Sequence, residues 1–582
     1  MEVPYIPKDA PFSADQRSWL GGFLAGLHSR VVVVGGAATE VGAAAAPVAA
    51  KTLDILYGTQ TGNSEELANE AAAIAKQKGY QPRVADLDSM EMDQLAKVET
   101  LLVVISTYGE GEMPDNAHLF WEALSAGTAP RLESMEFGVL ALGDTSYEFF
   151  CQAGKMVDTR LEQLGATRMA PRLDCDLDYE EPANEWLLAN IPQAGAAEIP
   201  ALVDTPAPKK SQWNKKNPYP SPVVENVNLS GEGSAKEIRH IAFDLSGSDL
   251  TYEAGDALGV MPVNASDLVS LWLARLGASP ETKIPGKEET LEELLTYHYE
   301  ISNPSQDLLV GLEPLVKHEE FSRIIAGGDR ESLMDFLWGK DALDIMNLDP
   351  EVELDPAVVI SWLKPLSHRA YSISSSPNAH PGEVHLTVAA VRWEREGREH
   401  RGVCSTYIAD QLPAGKEGGV FMLPNKSFRI PEDDSVPMVM VGPGTGIAPF
   451  RAFLEERRHR GAEGTNWLYF GDQHRMCDFI YEEELTAMVE SGDLDRLELA
   501  FSRDQEEKVY VQNKMKETGA ELFGLLEQGG HFYVCGDATR MAKDVDAALH
   551  EVIATHGNMD ADAAADYVAQ LKKSKRYVRD VY

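Results

Sequence analysis

The chain has 582 residues, 93 acidic against 52 basic, for a formal net charge of −41 at pH 7. Its length predicts about three to five folding units at roughly 100–200 residues each, and 44% hydrophobic with 25% charged residues is the make-up of an ordinary globular protein. So large a negative excess repels polyphosphates and argues against a nucleic-acid partner.

Residues 12–30 read as an amphipathic helix, with Ser13 and Asp15 as caps and Trp19, Leu20, Phe23, Leu24 and Leu27 apolar at helical spacing. The Gly/Ala-rich stretch to residue 50 reads as a flexible tether. A helix on a tether has no core of its own, so its apolar face packs on a partner or back on its own chain. No signal peptide opens the chain. Residues 31–50 come nearest to a membrane span, but they are mostly Ala and Gly and carry Glu40 and Pro47, so no membrane anchor is expected.

From Leu53 the pattern becomes βαβ: a strand at 53–57, a glycine loop, a helix at 65–78, then strands at 100–106 and 136–142. This predicts a doubly wound parallel domain over 51–195, with ligands at the carboxyl ends of its strands. Residues 51–190 hold 25 acidic and 10 basic side chains. Adaptation to a salty interior and a docking face for a basic protein both explain this acidity, and an electrostatic docking face would lie here.

The loop Gly58-Thr59-Gln60-Thr61-Gly62-Asn63-Ser64 offers hydroxyls and backbone N–H groups at a helix N-terminus, which suits a phosphate. It contains no Lys or Arg, so a mononucleotide fits better than a triphosphate, whose loop is GxxxxGK[ST]. Two further loops follow predicted strands: Ser106-Thr107-Tyr108-Gly109-Glu110-Gly111 and Leu142-Gly143-Asp144-Thr145-Ser146-Tyr147. Each contributes one tyrosine, and two aromatics converging on a phosphate loop can sandwich a flat tricyclic ring.

Residues 196–217 are rich in Pro, Lys and Ser and read as a linker. Alternating segments at 222–229, 237–245, 257–262, 370–374, 383–391 and 419–423 predict an antiparallel barrel over 218–432, with a helical insertion at about 265–360. Within it lies Arg369-Ala370-Tyr371-Ser372-Ile373-Ser374-Ser375. Arg369 can neutralise a diphosphate, Tyr371 can stack on a ring, and Ser372 can hydrogen-bond near its reactive edge. Gly402-Val403-Cys404-Ser405-Thr406 opens a helix and can hold diphosphate oxygens through N–H groups and Ser405.

Strand–glycine–helix alternation returns over 433–582. Gly442-Pro443-Gly444-Thr445-Gly446 follows the apolar strand 436–441 and opens a helix, an arrangement that seats a pyrophosphate. Ser502, Arg503, Lys508, Tyr510 and Gln512 form a polar and basic cluster in a chain short of positive charge. Cations kept against such a background meet an anion, and the 2′-phosphate of NADPH is the natural one. Tyr533-Val534-Cys535-Gly536-Asp537 is a strand ending in Cys-Gly, and the chain closes on Arg576-Tyr577-Val578-Arg579-Asp580-Val581-Tyr582. The cysteines, Cys151, Cys175, Cys404, Cys477 and Cys535, are scattered, odd in number and lack a CxxC pair. They argue against a disulfide framework or a zinc or iron–sulfur site, and for a reducing, cytoplasmic compartment.

Taken together these motifs resemble the diflavin reductase family over residues 51–582, with a flavodoxin domain followed by a module similar to the ferredoxin-NADP reductase superfamily. The resemblance implies FMN held by Thr59, Thr61 and Asn63, with Tyr108 and Tyr147 about the isoalloxazine and Asp176 in an acidic loop beside it. It implies FAD on the Arg369–Ser375 and Gly402–Thr406 motifs. Ser372, Cys535 and Asp580 become a polar trio around the hydride path, orienting the nicotinamide C4 toward the flavin N5, with Tyr582 a terminal ring over FAD. Electrons are then expected to pass from NADPH to FAD to FMN to a haem-containing acceptor, with the linker letting the FMN domain swing.

The ending and the tethered helix resemble most the flavoprotein alpha subunits of bacterial NADPH-sulfite reductases. That implies a sirohaem and iron–sulfur beta subunit reducing sulfite to sulfide, self-association through the N-terminal segment, and no metal in this chain. A soluble reductase for a haem monooxygenase or another carrier, and a flavin-storing or scaffolding subunit without turnover, remain open at this point.

Overall fold

In the first sheet, β1 (Thr52–Gly58), β2 (Gln81–Asp86), β3 (Thr100–Ser106), β4 (Glu136–Leu142), β5 (Thr167–Arg168) and β6 (Leu173–Cys175) are parallel throughout. The structure is a computed structural model and describes residues 51–59, 62–109, 111–145, 149–176, 178–194 and 211–582. The expected helix at 12–30, its tether and most of the expected linker lie outside these residues.

Helices cover both faces of this sheet, so β1, β3 and β4 are runs of buried apolar residues with little polar alternation. Helix Asn63–Gln77 packs Leu67, Ala68 and Ala71 against Leu53 and Ile55 on one face, and helix Gln152–Gln163 packs Ala153, Val157 and Leu161 with Leu56 and Val103 on the other. The strand order β2-β1-β3-β4-β5 reverses direction between β1 and β3. The loops after Gly58 and Ser106 therefore emerge side by side at the switch point, where ligands of such sheets bind.

The second sheet is antiparallel: β7 (Tyr219–Asn228), β8 (Ile238–Asp244), β9 (Ala257–Met261), β10 (Arg369–Ser372), β11 (Glu383–Ala389) and, beyond a hairpin of β12 (Arg392–Arg395) and β13 (Arg398–Arg401), β14 (Glu417–Leu423). Its order is β10-β9-β14-β7-β8-β11. It curls until its edges touch, with Ile373 bridging Leu386 and the Ser374 N–H donating to the His385 carbonyl at 2.8 Å. The β12–β13 hairpin has no hydrophobic alternation to announce it; it turns on Glu396 and Gly397, both at positive φ (53° and 77°). Between β9 and β10, helices from Ser266–Arg275 to Pro356–Trp362 close around their own core of Trp272, Phe321 and neighbouring leucines.

The third sheet is parallel, β15 (Met438–Val441), β16 (Asn466–Asp472), β17 (Arg496–Phe501), β18 (His531–Gly536) and β19 (Tyr577–Val581), in the order β17-β16-β15-β18-β19. A flavodoxin-like layer, an antiparallel sheet with a helical insertion and a Rossmann-like layer follow one another as the motifs predict. The last strand is an addition: the terminal motif forms β19 and sets Asp580 in register opposite Cys535. All five cysteines are unpaired and buried. Among the described residues no helix is long and apolar enough to cross a membrane.

Candidate active site

Ser372, at the end of β10, meets the ends of β18 and β19. Its Oγ donates to Asp580 Oδ2 at 2.6 Å, and Cys535 Sγ lies 3.9 Å from the same oxygen. Register supplies the second contact, because residues opposed on neighbouring parallel strands project to one side of the sheet. Burial pushes the Asp580 carboxyl above the ordinary carboxylate range, against the Ser372 hydrogen bond that lowers it. Burial, reinforced by the Asp580 charge, holds the Cys535 thiol far above its usual range, so this sulfur is no thiolate nucleophile. The three groups form a small polar island able to orient a ring edge and meet developing charge.

The glycine loop Gly442–Gly446 presses on the end of β18. A Cβ on Gly446 would fall 2.2 Å from the Cys535 carbonyl oxygen, so no other residue fits there. Gly444 (φ 58°) starts a single helical turn, Gly444–Ile447, which runs into helix Ala448–Arg460 and aims its first N–H groups at the loop. Tyr582 is 62% exposed, and its hydroxyl shares a 3.0 Å hydrogen bond with Thr445 Oγ1. The terminal ring thus stands over the glycine loop, outside any core.

The 2′-phosphate cluster is only partly assembled by direct contacts. Ser502 is buried, with its N–H on the Asp472 carbonyl at 2.8 Å. Arg503 and Lys508 are exposed and have no ion-pair partner among the described residues, while Gln512 donates to Asp544 at 3.1 Å and Tyr510 caps the helix Val511–Glu517. Unpaired cations in a chain of this charge can hold an anion. Asp537 accepts from Thr539 and Arg540, bonds that outweigh its burial and keep its carboxyl below the usual range. The sequence does not single out Asp472: one of its oxygens pairs with Lys236 at 2.5 Å, and the other is buried without a partner, 3.7 Å from where a Gly444 Cβ would sit. An unpartnered acceptor beside a phosphate loop suits a ribose hydroxyl.

In the antiparallel sheet, Tyr371 and Ser372 lie in β10 as expected. Arg369 is anchored, with Nη2 on Glu300 at 3.0 Å and Nη1 on the Ser367 hydroxyl at 2.8 Å, so it is a paired cation. Ser374 is fully buried, and its carbonyl accepts from Arg451 at 2.6 Å. Gly402 caps the turn Val403–Thr406, and a Cβ there would fall 2.6 Å from Ser405 Oγ; the Gly402 N–H is held by the Val391 carbonyl at 2.9 Å and Ser405 Oγ accepts from the Val391 N–H at 3.2 Å, so the donors left for a ligand are the first N–H groups of the turn, from Val403 to Ser405. That donor set suits a diphosphate.

In the flavodoxin layer, Gly62 (φ 91°) donates its N–H to Thr59 Oγ1 at 2.9 Å, and the Thr59 N–H donates to Asn116 Oδ1 at 2.8 Å. Asn63 opens the helix, and the Ser64 hydroxyl beside it is buried without a partner, a free donor that fits a phosphate oxygen. Gln60, Thr61 and Tyr147 lie outside the described residues. Thr107 holds the Ala153 N–H at 3.1 Å, Ser106 Oγ reaches the Gly58 carbonyl at 3.4 Å, and Gly109 and Gly111 turn the loop at positive φ. The Leu142–Gly143 end of β4 is held by the Gly143 N–H on the Cys175 carbonyl, and Asp176 accepts from the Thr145 N–H at 3.0 Å and its hydroxyl at 2.5 Å.

The phosphate loop faces the antiparallel sheet: a Cβ on Gly62 would fall 3.1 Å from the Pro424 carbonyl oxygen, just beyond β14. A seam also joins this layer to the last strand. Tyr108 OH donates to the Val581 carbonyl at 2.6 Å, Arg579 Nε donates to Asp115 at 3.1 Å, Lys573 pairs with Glu91, and Lys575 lies 3.5 Å from Asp86. The loops that can hold FMN therefore meet both the end of the antiparallel sheet and the strand that carries Asp580.

Comparison with known proteins agrees with this architecture. Residues 55–186 match the flavodoxin family, 211–407 the FAD binding domain and 440–547 the oxidoreductase NAD-binding domain. The chain is 45% identical to the sulfite reductase [NADPH] flavoprotein alpha-component of Bacillus subtilis, covering 97% of this chain and 95% of that protein. It is 40% identical to the proteins of the same name from Vibrio cholerae (98% and 94% covered) and Shewanella sp. MR-7 (98% and 96%). Three nucleotide-handling layers in this order, with relatedness along the whole chain, place the protein in the sulfite reductase [NADPH] flavoprotein alpha-component family of diflavin reductases.

Proposed function

We propose that this chain is the electron-supplying component of an assimilatory sulfite reductase, working in the cytoplasm and discharging to a sirohaem and iron–sulfur beta subunit that reduces sulfite to sulfide. The observation that carries the reading is the junction of Ser372, Cys535 and Asp580, drawn from three distant segments to a single carboxylate oxygen. Relatedness over the whole chain to proteins named for sulfite reduction supports the choice of acceptor. The acidic flavodoxin layer, with 25 acidic against 10 basic residues over 51–190, supports docking to a basic face.

When bound, the cofactors supply a hydride from NADPH to FAD and single electrons from FAD through FMN to the acceptor. The chain's own residues position and protect that chemistry. Arg503, Lys508, Tyr510 and Ser502 select the phosphorylated nucleotide, and the Gly442–Gly446 loop seats its pyrophosphate. Asp580 accepts from Ser372, and with Cys535 the pair presents a fixed polar surface to the reacting edge, costing no reorganisation at the moment of transfer. Tyr582 covers that surface and leaves it when the nicotinamide enters. Thr59, Asn63 and Ser64 hold the FMN phosphate with neutral donors, and the flavodoxin layer leaves the seam for its partner.

The test is reconstitution. Mixed anaerobically with a sirohaem sulfite reductase subunit, the chain should produce sulfide in an NADPH-dependent manner. Bleaching by NADPH without sulfide formation, alongside rapid reduction of a haem monooxygenase, would reject the assigned acceptor.

A further inference from the structure

Ser372 lies in the antiparallel sheet, whereas Cys535 and Asp580 lie in the third, so the two sheets must be held in register for the three to meet. β10 ends at Ser372, and Ser374, Ser375 and Ser376 beyond it are fully buried. Buried backbone groups need partners. The antiparallel sheet supplies one, the His385 carbonyl that accepts from the Ser374 N–H at 2.8 Å. Two more come from the nucleotide layer: the Ser374 carbonyl accepts from Arg451 Nη1 at 2.6 Å, and the Ser376 N–H donates to Glu455 at 2.8 Å. Arg451 and Glu455 stand one turn apart on helix Ala448–Arg460 and pair with each other at 2.9 Å. One helix therefore follows directly on the nucleotide loop at its start and, within two turns, grips the flavin motif just beyond Ser372.

The grip is ionic and closed to water. The Arg451 and Glu455 side chains are each 8% exposed, Glu484 takes Arg451 Nε at 2.9 Å, and the Tyr481 ring lies 5.2 Å from the guanidinium. Tyr481 reaches into the antiparallel sheet in turn, its hydroxyl sharing hydrogen bonds with Thr387 Oγ1 at 2.7 Å and His240 Nδ1 at 2.9 Å. It does so at φ 59°, a conformation that a tyrosine keeps only where its surroundings impose it. His380 Nε2 on Glu455 at 3.0 Å and the Ser376 hydroxyl on Glu456 at 2.5 Å complete the set.

We propose that Arg451 and Glu455 are positioning residues for hydride transfer, fastening the segment behind Ser372 to the helix behind the nucleotide loop and so fixing how the nicotinamide meets the flavin. The inference rests on the reading of Ser372, Cys535 and Asp580 as the hydride path. Burying such an ion network gains little stability over apolar packing of the same volume, so its use lies in the one geometry it permits. Neither side chain touches the trio. Lysine at position 451 would keep the charge but lacks the planar fork that serves Ser374, Glu455 and Glu484 together.

The experiment compares the flavin-loaded full chain with Arg451→Lys, Glu455→Gln and Asp580→Asn. Hydrogen–deuterium exchange reads the fastening directly: the amides of residues 374–376 should exchange about tenfold faster in Arg451→Lys and Glu455→Gln, while β16 exchanges as in the wild type. Anaerobic flavin bleaching at saturating NADPH should slow about tenfold in Arg451→Lys, with a primary isotope effect from NADPH deuterated at the transferred position. NADP⁺ affinity by calorimetry and flavin content should stay unchanged, a split that general loosening of the fold would not produce. Wild-type exchange or wild-type bleaching in Arg451→Lys overturns the proposal, as does a matching loss of NADP⁺ affinity. Slow bleaching in Asp580→Asn beside a wild-type rate in Arg451→Lys rejects the fastening alone, whereas a wild-type rate in Asp580→Asn rejects the trio and the fastening with it. Should Arg451→Lys lose flavin, Glu455→Gln decides by the same measures.

Discussion

Loosening the seam between the flavodoxin layer and β19 should free that layer without unfolding it. Arg579 and Asp115 are only 21% and 25% exposed, so their forked, charge-assisted contact contributes about 1.5–3 kcal/mol. The Tyr108–Val581 hydrogen bond adds about 1 kcal/mol, and each lysine pair, with one partner largely exposed, about 0–1 kcal/mol. At about 1.4 kcal/mol per decade, Asp115→Asn should shift the docked-to-undocked ratio tenfold or more, and Tyr108→Phe about fivefold. Small-angle scattering reports the shift as a larger radius of gyration. The reduction rate of an external one-electron acceptor gives a second measure: in the wild type it should rise with added salt, because screening weakens the seam. In Asp115→Asn it should start high and respond little. Scattering and salt response identical to the wild type in both variants would refute the idea that these contacts hold the layer in place.

Asp580→Asn should slow anaerobic flavin bleaching by NADPH about 100-fold, since the Ser372 hydroxyl then faces a neutral amide; stopped-flow absorbance measures it. Arg503→Ala and Lys508→Ala should each raise the KM for NADPH about 10- to 100-fold and leave NADH nearly unchanged, so the ratio of the two kcat/KM values is the readout. Acid should weaken the fold through His240 and His385, which burial pushes down to about 3. The unfolded chain takes up protons below its histidine pKa of about 6.5 while the folded chain does not. Stability is therefore complete above that pH and falls by about 1.4 kcal/mol per pH unit for each histidine down to about pH 3. Urea melts between neutral pH and pH 4 follow this, and replacing either histidine with Gln should flatten the dependence. Gly446→Ala should lower the melting temperature and flavin reduction together, because its Cβ would fall 2.2 Å from the Cys535 carbonyl oxygen.

The sequence by itself determined the three layers, the phosphate loops and the cationic cluster, because each is written in neighbouring residues: apolar runs between turns, glycine and hydroxyls at a strand's end, and two cations close together in an acidic chain. The strand at 100–106, for example, is legible from Thr100-Leu101-Leu102-Val103-Val104-Ile105-Ser106 alone. Tertiary structure decided what those pieces meet. The Ser372–Asp580 hydrogen bond spans 208 residues, and the Arg579–Asp115 contact spans 464. The pairing of Arg369 with Glu300, of Lys236 with Asp472 and of His380 with Glu455 likewise leaves no periodic trace. Even the terminal strand is invisible locally, since five residues with two charges among them become a strand only when β18 offers its free edge. Hydrophobic period and turn chemistry act over a few residues and can be read along the chain, whereas a polar contact across layers depends on how whole sheets pack, and packing is a property of the assembled chain.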